Sequence, residues 1–555
     1  MLGGTSDASR RALGDGESTA VMAYGRFLCG AVLAVCAALV LSASGGARGV
    51  KEGGDFRINL GAGAFDHIDP ALAYSSTSWA VLDTVCATLM RYPDKPPPDG
   101  YRLVPEVAKA YPRVSGDGKT WTFTLRSGFR FSDGTPVRAS AFARAIHRTL
   151  APGVASGGAY YTRDILGAED VQKGRARSAR GVVARGNTLT VRFKRAVPDF
   201  PAQTTMPFFC AVPPELPADP EGVGAFPAAG PYYVADYRSG ERIVIERNPH
   251  YGGRRPHHVD RFLVDLRTSS PDRMLDAVER GDSDWGFTLR ELYFDPARGL
   301  AKKYGVNKSR FFVQPGLSFN GYALNTSRPL FRNNVRLRQA VNFAIDRSAL
   351  EGGGGAGQLT DQYLPATMPG FKDADIYPLR RPDLRRARVL ARGQTRSGKA
   401  VLYTLDFPPK LVFARIVKRN LAQIGLDVEV KALPPGAFFS RAFARGEPVD
   451  IVFTPWTPDY IDPFSYLNVF FESRFIGGSN NARLDSPVYD RLLRDAAALE
   501  GAARARVYGA LDIRLARDAA PLVATTFLNE PTLVSKRVGC VVLRPTLDLT
   551  AVCLK

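Results

Sequence analysis

Histidine is scarce in this chain, with five among 555 residues, and so are methionine (six) and tryptophan (four). No Cys-x-x-Cys and no His-x-x-x-His occurs, which removes the common zinc frameworks. The sequence has no Gly-x-Ser-x-Gly elbow, so the usual serine-hydrolase nucleophile turn is missing. The glycine run Gly352–Gly355 is followed by Ala356-Gly357-Gln358, without the Lys and hydroxyl that a phosphate loop requires. His67, His147, His250, His257 and His258 are scattered, and no nucleophile–base pair is visible. After residue 41 no stretch is long and apolar enough to span a bilayer. Acidic residues are in deficit: Lys+Arg 74 against Asp+Glu 54 gives +20, with a pI near 9.8. Such a charge favours contact with anionic surfaces. It is spread along the chain without a zinc finger or an aromatic RNA-binding strand, so no nucleic-acid partner is expected.

What is present reads as a globular, exported protein. Apolar residues make up 45% and charged residues 23%, and a single core seldom outgrows about 250–300 residues, so at least two lobes are expected. Near the start, Arg26 precedes the apolar run Phe27–Leu41, and Ser42-Ala43-Ser44-Gly45-Gly46 follows. This is an export signal over residues 1–45, with Met22 as an alternative start. Cleavage and retention as an anchor both stay open. Val35 precedes Cys36 and Leu28 precedes Cys29, so neither cysteine sits in a lipoprotein signal. A flexible Gly-rich tether follows at 46–56.

Beyond the leader stand Cys86, Cys210, Cys540 and Cys553, and export places them in an oxidising compartment. Four cysteines allow three pairings. Cys540 and Cys553 are near neighbours flanking a Pro-containing, β-rich stretch, which favours that pair and leaves Cys86–Cys210; buried free thiols are the alternative.

Local patterns mix strands and helices. Trp121–Arg126 alternates apolar and polar between two glycine turns, and Leu189, Val191 and Phe193 repeat the alternation. Ser270-Pro271 reads as a cap and first turn of a helix that Gly281 stops. A helix is expected from Val335 to about Leu350, and another from about Pro382 to Gly393 with Arg385, Arg386, Arg388 and Arg392 on a solvated face. Val412, Ile416, Val417, Leu421 and Ile424 follow helical spacing up to Gly425, and Leu426, Val428, Val430 and Ala432 then alternate as a strand. The class is α/β.

Five blocks in order carry a resemblance. Phe65-Asp66-His67-Ile68-Asp69-Pro70 with Val81–Tyr92 is the first. Ser115-Gly-Asp-Gly-Lys-Thr-Trp-Thr-Phe-Thr-Leu-Arg-Ser-Gly-Phe-Arg-Phe-Ser-Asp-Gly-Thr-Pro136 is the second. Gly230–Val234 with Glu246–Tyr251, then Arg338–Arg347, then Asp450–Pro463 complete the set. From about residue 55 to 555 the chain resembles the family 5 extracellular solute-binding proteins of ABC importers, which bind oligopeptides, dipeptides or nickel. The resemblance implies a type II periplasmic-binding-protein-like α/β fold with two lobes and an extra subdomain in the first. Lobe I would cover 57–318 with the subdomain at about 93–215, lobe II would cover 319–526, and 527–555 would return to lobe I.

It also implies a monomeric receptor in the periplasm or on the outer face of the cytoplasmic membrane. The receptor would use no cofactor, metal or catalytic residue. It would hold a peptide or small-molecule ligand and pass it to a membrane permease complex. In peptide binders the acid for the peptide's amino end falls in a Trp-x-x-Asp-Tyr motif, here Trp456-Thr457-Pro458-Asp459-Tyr460. Asp459 is therefore the candidate ammonium acceptor, with Trp456 and Tyr460 as pocket walls. The loop Tyr74-Ser75-Ser76-Thr77 is the matching first-lobe rim, and Asn325 lies near the hinge. One departure stands out: peptide binders commonly have Gly before that Trp, and this chain has Pro455, which has no N–H. A non-peptide solute is thus the alternative cargo, and a secreted hydrolase acting on wall polymers is the alternative of another class.

Overall fold

The computed structural model describes residues 50–555 apart from 62–63, 269, 288–289, 352–354 and 545–546. The export signal, tether residues 46–49 and the first part of the glycine run lie outside the described residues. The remaining tether residues are not free. Lys51 bridges Leu554, the Gly53 N–H bonds the His258 carbonyl at 2.7 Å, and strand β1 (Asp55–Asn59) begins within the segment read as a linker. The glycines there turn the backbone onto neighbouring strands instead of loosening it.

Strand β1 is the second strand of a five-stranded sheet, in the order Trp285–Gly286, β1, Arg261–Asp265, Arg242–Arg247 and Tyr232–Arg238. It runs parallel to both of its neighbours. Phe56 and Ile58 face a core shared with Tyr232, Ile243, Ile245, Phe262 and Val264. Helix α1 (Ser76–Val85) packs Val81, Leu82 and Val85 into the same core. Between α1 and Tyr232 the chain builds a separate four-stranded sheet from Arg113–Val114, Thr120–Thr124, Thr188–Arg192 and Val182–Arg185. Trp121, Phe123, Leu189 and Val191 fill its own core with Phe142, Ile146 and Phe200.

The second large sheet has six strands: Gly357–Leu359, β4, β2, β3, Lys399–Leu405 and Asp427–Leu433. Here β2 is Phe311–Leu324, β3 is Ile451–Trp456 and β4 is Leu522–Leu533. Strands β2 and β4 are long and pair from Phe311↔Leu533 to Ala323↔Leu522, with register shifts between. At one end Phe311 and Leu533 pack with Leu275, Val278 and Tyr293; at the other Phe319 and Phe527 enter the second lobe's core. This two-stranded ribbon is the link between the lobes. Its register shifts mark β-bulges that bend the strands locally.

The C-terminal segment returns to the first lobe. Arg537 and Ser535 bond the buried Asp284 carboxylate at 2.9 and 2.7 Å, and Val538–Cys540 pairs with Cys553–Leu554. Disulfides join Cys540 to Cys553, and Cys86 just after α1 to Cys210 near the end of the subdomain segment. Asp69 and Arg148 form a fully buried two-pronged ion pair at 2.8 and 2.6 Å that ties the first lobe to its subdomain.

Two helical expectations change. The helix from Val335 ends at Ala344, because Asp346 starts a new turn by accepting from Ser348 and Ala349. Val412, placed inward by spacing, is exposed on the helix Pro408–Ala422, whose buried stripe is Ala414, Val417 and Leu421.

Candidate ligand-binding site

Ile451, Val452 and Phe453 bury β3 in the second lobe's core, and the chain then meets Pro455 and Pro458. The ladder runs through Pro455 to Trp456, and Pro458 follows it as 457–463 leave the sheet as a tongue. Asp462 closes it by accepting from the Phe464 N–H, which starts the helix Phe464–Phe471. The tongue enters the first lobe. Tyr460 is 7% exposed within the subdomain core, and its hydroxyl donates to the buried Asp199 at 2.5 Å. The Tyr92 hydroxyl donates to the Ile461 carbonyl at 2.8 Å and accepts from its N–H at 2.9 Å.

Asp459 stands at the tip. Its carboxylate accepts from the Tyr161 hydroxyl and, at 3.1 and 3.2 Å to its two oxygens, from the Tyr74 hydroxyl. Both donors come from the first lobe. Behind them Tyr74 and Tyr161 each stack on Phe208, and Trp79 meets Tyr74 and Phe208 edge-on. No Lys or Arg forms an ion pair with Asp459 among the described residues. Burial pushes its carboxyl above the usual carboxylate range, and the Tyr161 and Tyr74 hydroxyls pull it partly back. Burial and the facing carboxylate push both phenols upward, so they stay protonated and donate. A carboxylate can accept about four hydrogen bonds. The two hydroxyls therefore leave capacity for a cation with N–H donors.

The outer edge of β3 is the second element of the site. Lys399–Leu405 pairs with β3 only at Ile451 and Val452, so the edge beyond lacks a partner strand among the described residues. The Leu324 N–H points to Pro521 across β4, and backbone direction alternates along β2. By that alternation Phe319 and Gly321 face β3, opposite Trp456 and Thr454, and Pro455 turns its nitrogen and carbonyl to the open edge. The ladder therefore loses nothing to Pro455, while the open edge offers its carbonyl and no N–H.

The other rim residues divide. Ser75 caps α1 by accepting from the Ser78 N–H and also bonds Asp66. Thr77 is buried and donates to the Ala64 carbonyl, while Ser76 is exposed at the first helical position. Trp456 is half-buried, with its indole N–H on the Ser465 carbonyl at 2.8 Å and its ring against Phe470. Asn325 is not at the site. It is fully buried beside the start of β3, its amide donating to the Val449 carbonyl at 2.7 Å, because a hinge-strand end needs its backbone groups satisfied. Tyr161, Asp199 and Tyr92 were not anticipated. Their traces in sequence are Tyr92 at the end of the block Val81–Tyr92 and the Tyr160-Tyr161 pair.

The chain is 26% identical over 445 residues to the probable D,D-dipeptide-binding periplasmic protein DdpA of Escherichia coli K12, covering 78% of this chain and 80% of that protein. It is 25% identical over 492 residues to the oligopeptide-binding protein OppA of Bacillus subtilis 168, covering 82% and 86%. Among solved structures it superposes on the clavulanic acid biosynthesis oligopeptide binding protein 2 with a TM-score of 0.78 at 26% identity, covering 91% and 96%. Residues 102–478 match the model of the bacterial extracellular solute-binding proteins, family 5 middle region, and the chain belongs to that family.

Proposed function

We propose that this chain is the extracytoplasmic receptor of an ABC importer and that it captures short peptides by their free amino end at Asp459. The observation that carries the reading is Asp459 itself. It is a half-buried carboxylate on a tongue of one lobe, bonded by two hydroxyls of the other lobe, and no Lys or Arg pairs with it among the described residues. An ammonium group supplies the missing charge, and a charge-assisted contact in such surroundings is strong and directional. Cargo seated there touches both lobes and so favours the arrangement in which they meet. The relatives' names, dipeptide-binding and oligopeptide-binding, support the same class. The receptor works as a monomer and delivers to a membrane permease. No enzymatic step is assigned to it.

Pro455 favours a second reading within the same role. An edge that donates nothing to its cargo at that position suits an amine-bearing solute other than a regular peptide. The test is mass spectrometry of what is released on denaturation after mild purification from the native envelope. Short peptides with free amino ends support the first reading, and an amine-bearing non-peptide supports the second. A bound solute without any cationic nitrogen refutes both.

A further inference from the structure

The tongue separates Asp459 from a second space. A cavity of about 1230 Å³ lies between the subdomain and the second lobe, and neither Asp459, Trp456, Tyr460 nor Tyr74 lines it. The Tyr460–Asp199 and Tyr92–Ile461 hydrogen bonds form the wall between the two. The volume slightly exceeds the roughly 300–1,000 Å³ of ordinary small-molecule pockets.

Its interior is neutral and mostly apolar. Leu103, Met368, Phe371, Phe464 and Leu499 contribute the walls. Three of the five lining acids are answered: Asp462 by Arg504 at 2.7 Å, Glu472 by Arg474 at 2.9 Å, and Asp199 by Tyr460 and Gln203, while Asp117 and Glu500 stand at the exposed rim. Two hydroxyls are not. Tyr101, 3% exposed on the first-lobe side, and Thr367 on the second-lobe side lie near one another, yet neither completes a hydrogen bond of regular geometry. The two hydroxyls face one another with donor and acceptor capacity left for a third group. Lys372, Arg494 and Arg506 are exposed in the lining, and none forms an ion pair among the described residues.

We infer that this cavity is a second ligand site, for a compact aromatic or apolar molecule that presents a hydroxyl or carbonyl to Tyr101 and Thr367 and an anionic group to Lys372, Arg494 and Arg506. Each hydroxyl both donates and accepts, so one carbonyl or hydroxyl completes the pair. The outer cations complement a carboxylate at the other end of the same molecule. The inference stands apart from the peptide reading, because no residue of the Asp459 site takes part.

The probe is 7-hydroxycoumarin-3-carboxylate, which has an aromatic body, a hydroxyl at one end and a carboxylate at the other. Its fluorescence anisotropy is titrated with the full chain. One saturable site is expected, retained in saturating tripeptide. Tyr101→Phe and Thr367→Val each remove one hydroxyl with little change of shape and are expected to weaken the probe about 3–10-fold. Arg494→Gln weakens it about 2–5-fold, more at low salt. Thr367→Trp, which puts an indole where the probe's hydroxyl end would sit, is expected to weaken it more than Thr367→Val. Circular dichroism checks that each variant is folded. No saturable binding, loss of the site when tripeptide is added, or equal affinity in Tyr101→Phe and Thr367→Val would overturn the inference.

Discussion

Replacing Tyr161 with Phe tests the electrostatics of the site through pH. Only the ionised Asp459 attracts an ammonium group. Burial holds its pKa above the usual carboxylate value, and the hydroxyls of Tyr161 and Tyr74 work against that rise. Cargo affinity is therefore full above the Asp459 pKa and falls about tenfold per unit as pH drops through it. Tyr161→Phe keeps the ring on Phe208 and removes one donor to a charged acceptor. Such a bond is worth about 1.5–3 kcal/mol, and at 1.36 kcal/mol per pH unit the acid limb moves upward by about one to two units. Tyr74→Phe is expected to move it less, because Tyr74 is 52% exposed and its bonds are longer. The assay is calorimetric titration of a free-amino tripeptide from pH 4 to 8. An acid limb that stays in place or moves downward in a folded Tyr161→Phe protein would refute the reasoning.

Three further outcomes follow from the same geometry. Pro455→Ala restores an N–H on the open edge of β3, and tripeptide affinity is expected to rise about 3–10-fold; a tripeptide with a reduced amide at the facing position does not share the gain. The Cys86–Cys210 bond spans 124 residues and Cys540–Cys553 spans 13. Chain entropy then predicts losses of about 5 and about 3 kcal/mol when each pair is changed to Ser, a ranking that denaturant titration reads directly. Asp512 is fully buried beneath the Tyr363 and Leu364 N–H groups and the Gln362 amide, and burial pushes its carboxyl up to about 7. The folded state thus binds the extra proton between the unfolded value and about 7, and stability falls as pH rises through that window. Asp512→Asn removes this term, so its melting temperature approaches the wild-type value, or passes it, between pH 5 and 7.5.

Much of this was legible in the sequence because it is local. Alternation placed Thr120–Thr124 and Thr188–Arg192 as strands, the Ser270 cap and Gly281 bounded a helix, and the Trp456–Tyr460 motif pointed to Asp459. What the sequence hid is long-range. Tyr161 and Tyr92 meet the tongue across 298 and 369 residues, and nothing in their local patterns marks them. Ser75 and Thr77 looked like ligand contacts because capping and binding use the same residue types. Asn325 sits close to the hinge in sequence, but its amide is fully used beside β3. The tether misled for a related reason, since glycine marks close backbone approach as readily as freedom.

The most direct test of the account is a double comparison at Asp459. A tripeptide and its N-acetylated form are titrated into the wild type and into Asp459→Asn. Losing one partner of a buried charged contact costs about 2–5 kcal/mol. The free-amino peptide is therefore expected to bind at least about 30-fold more weakly to Asp459→Asn, and the acetylated peptide to bind both proteins equally poorly. Equal affinity of the free peptide for the two proteins, or the same loss for both peptides, would contradict capture of an amino group at this carboxylate.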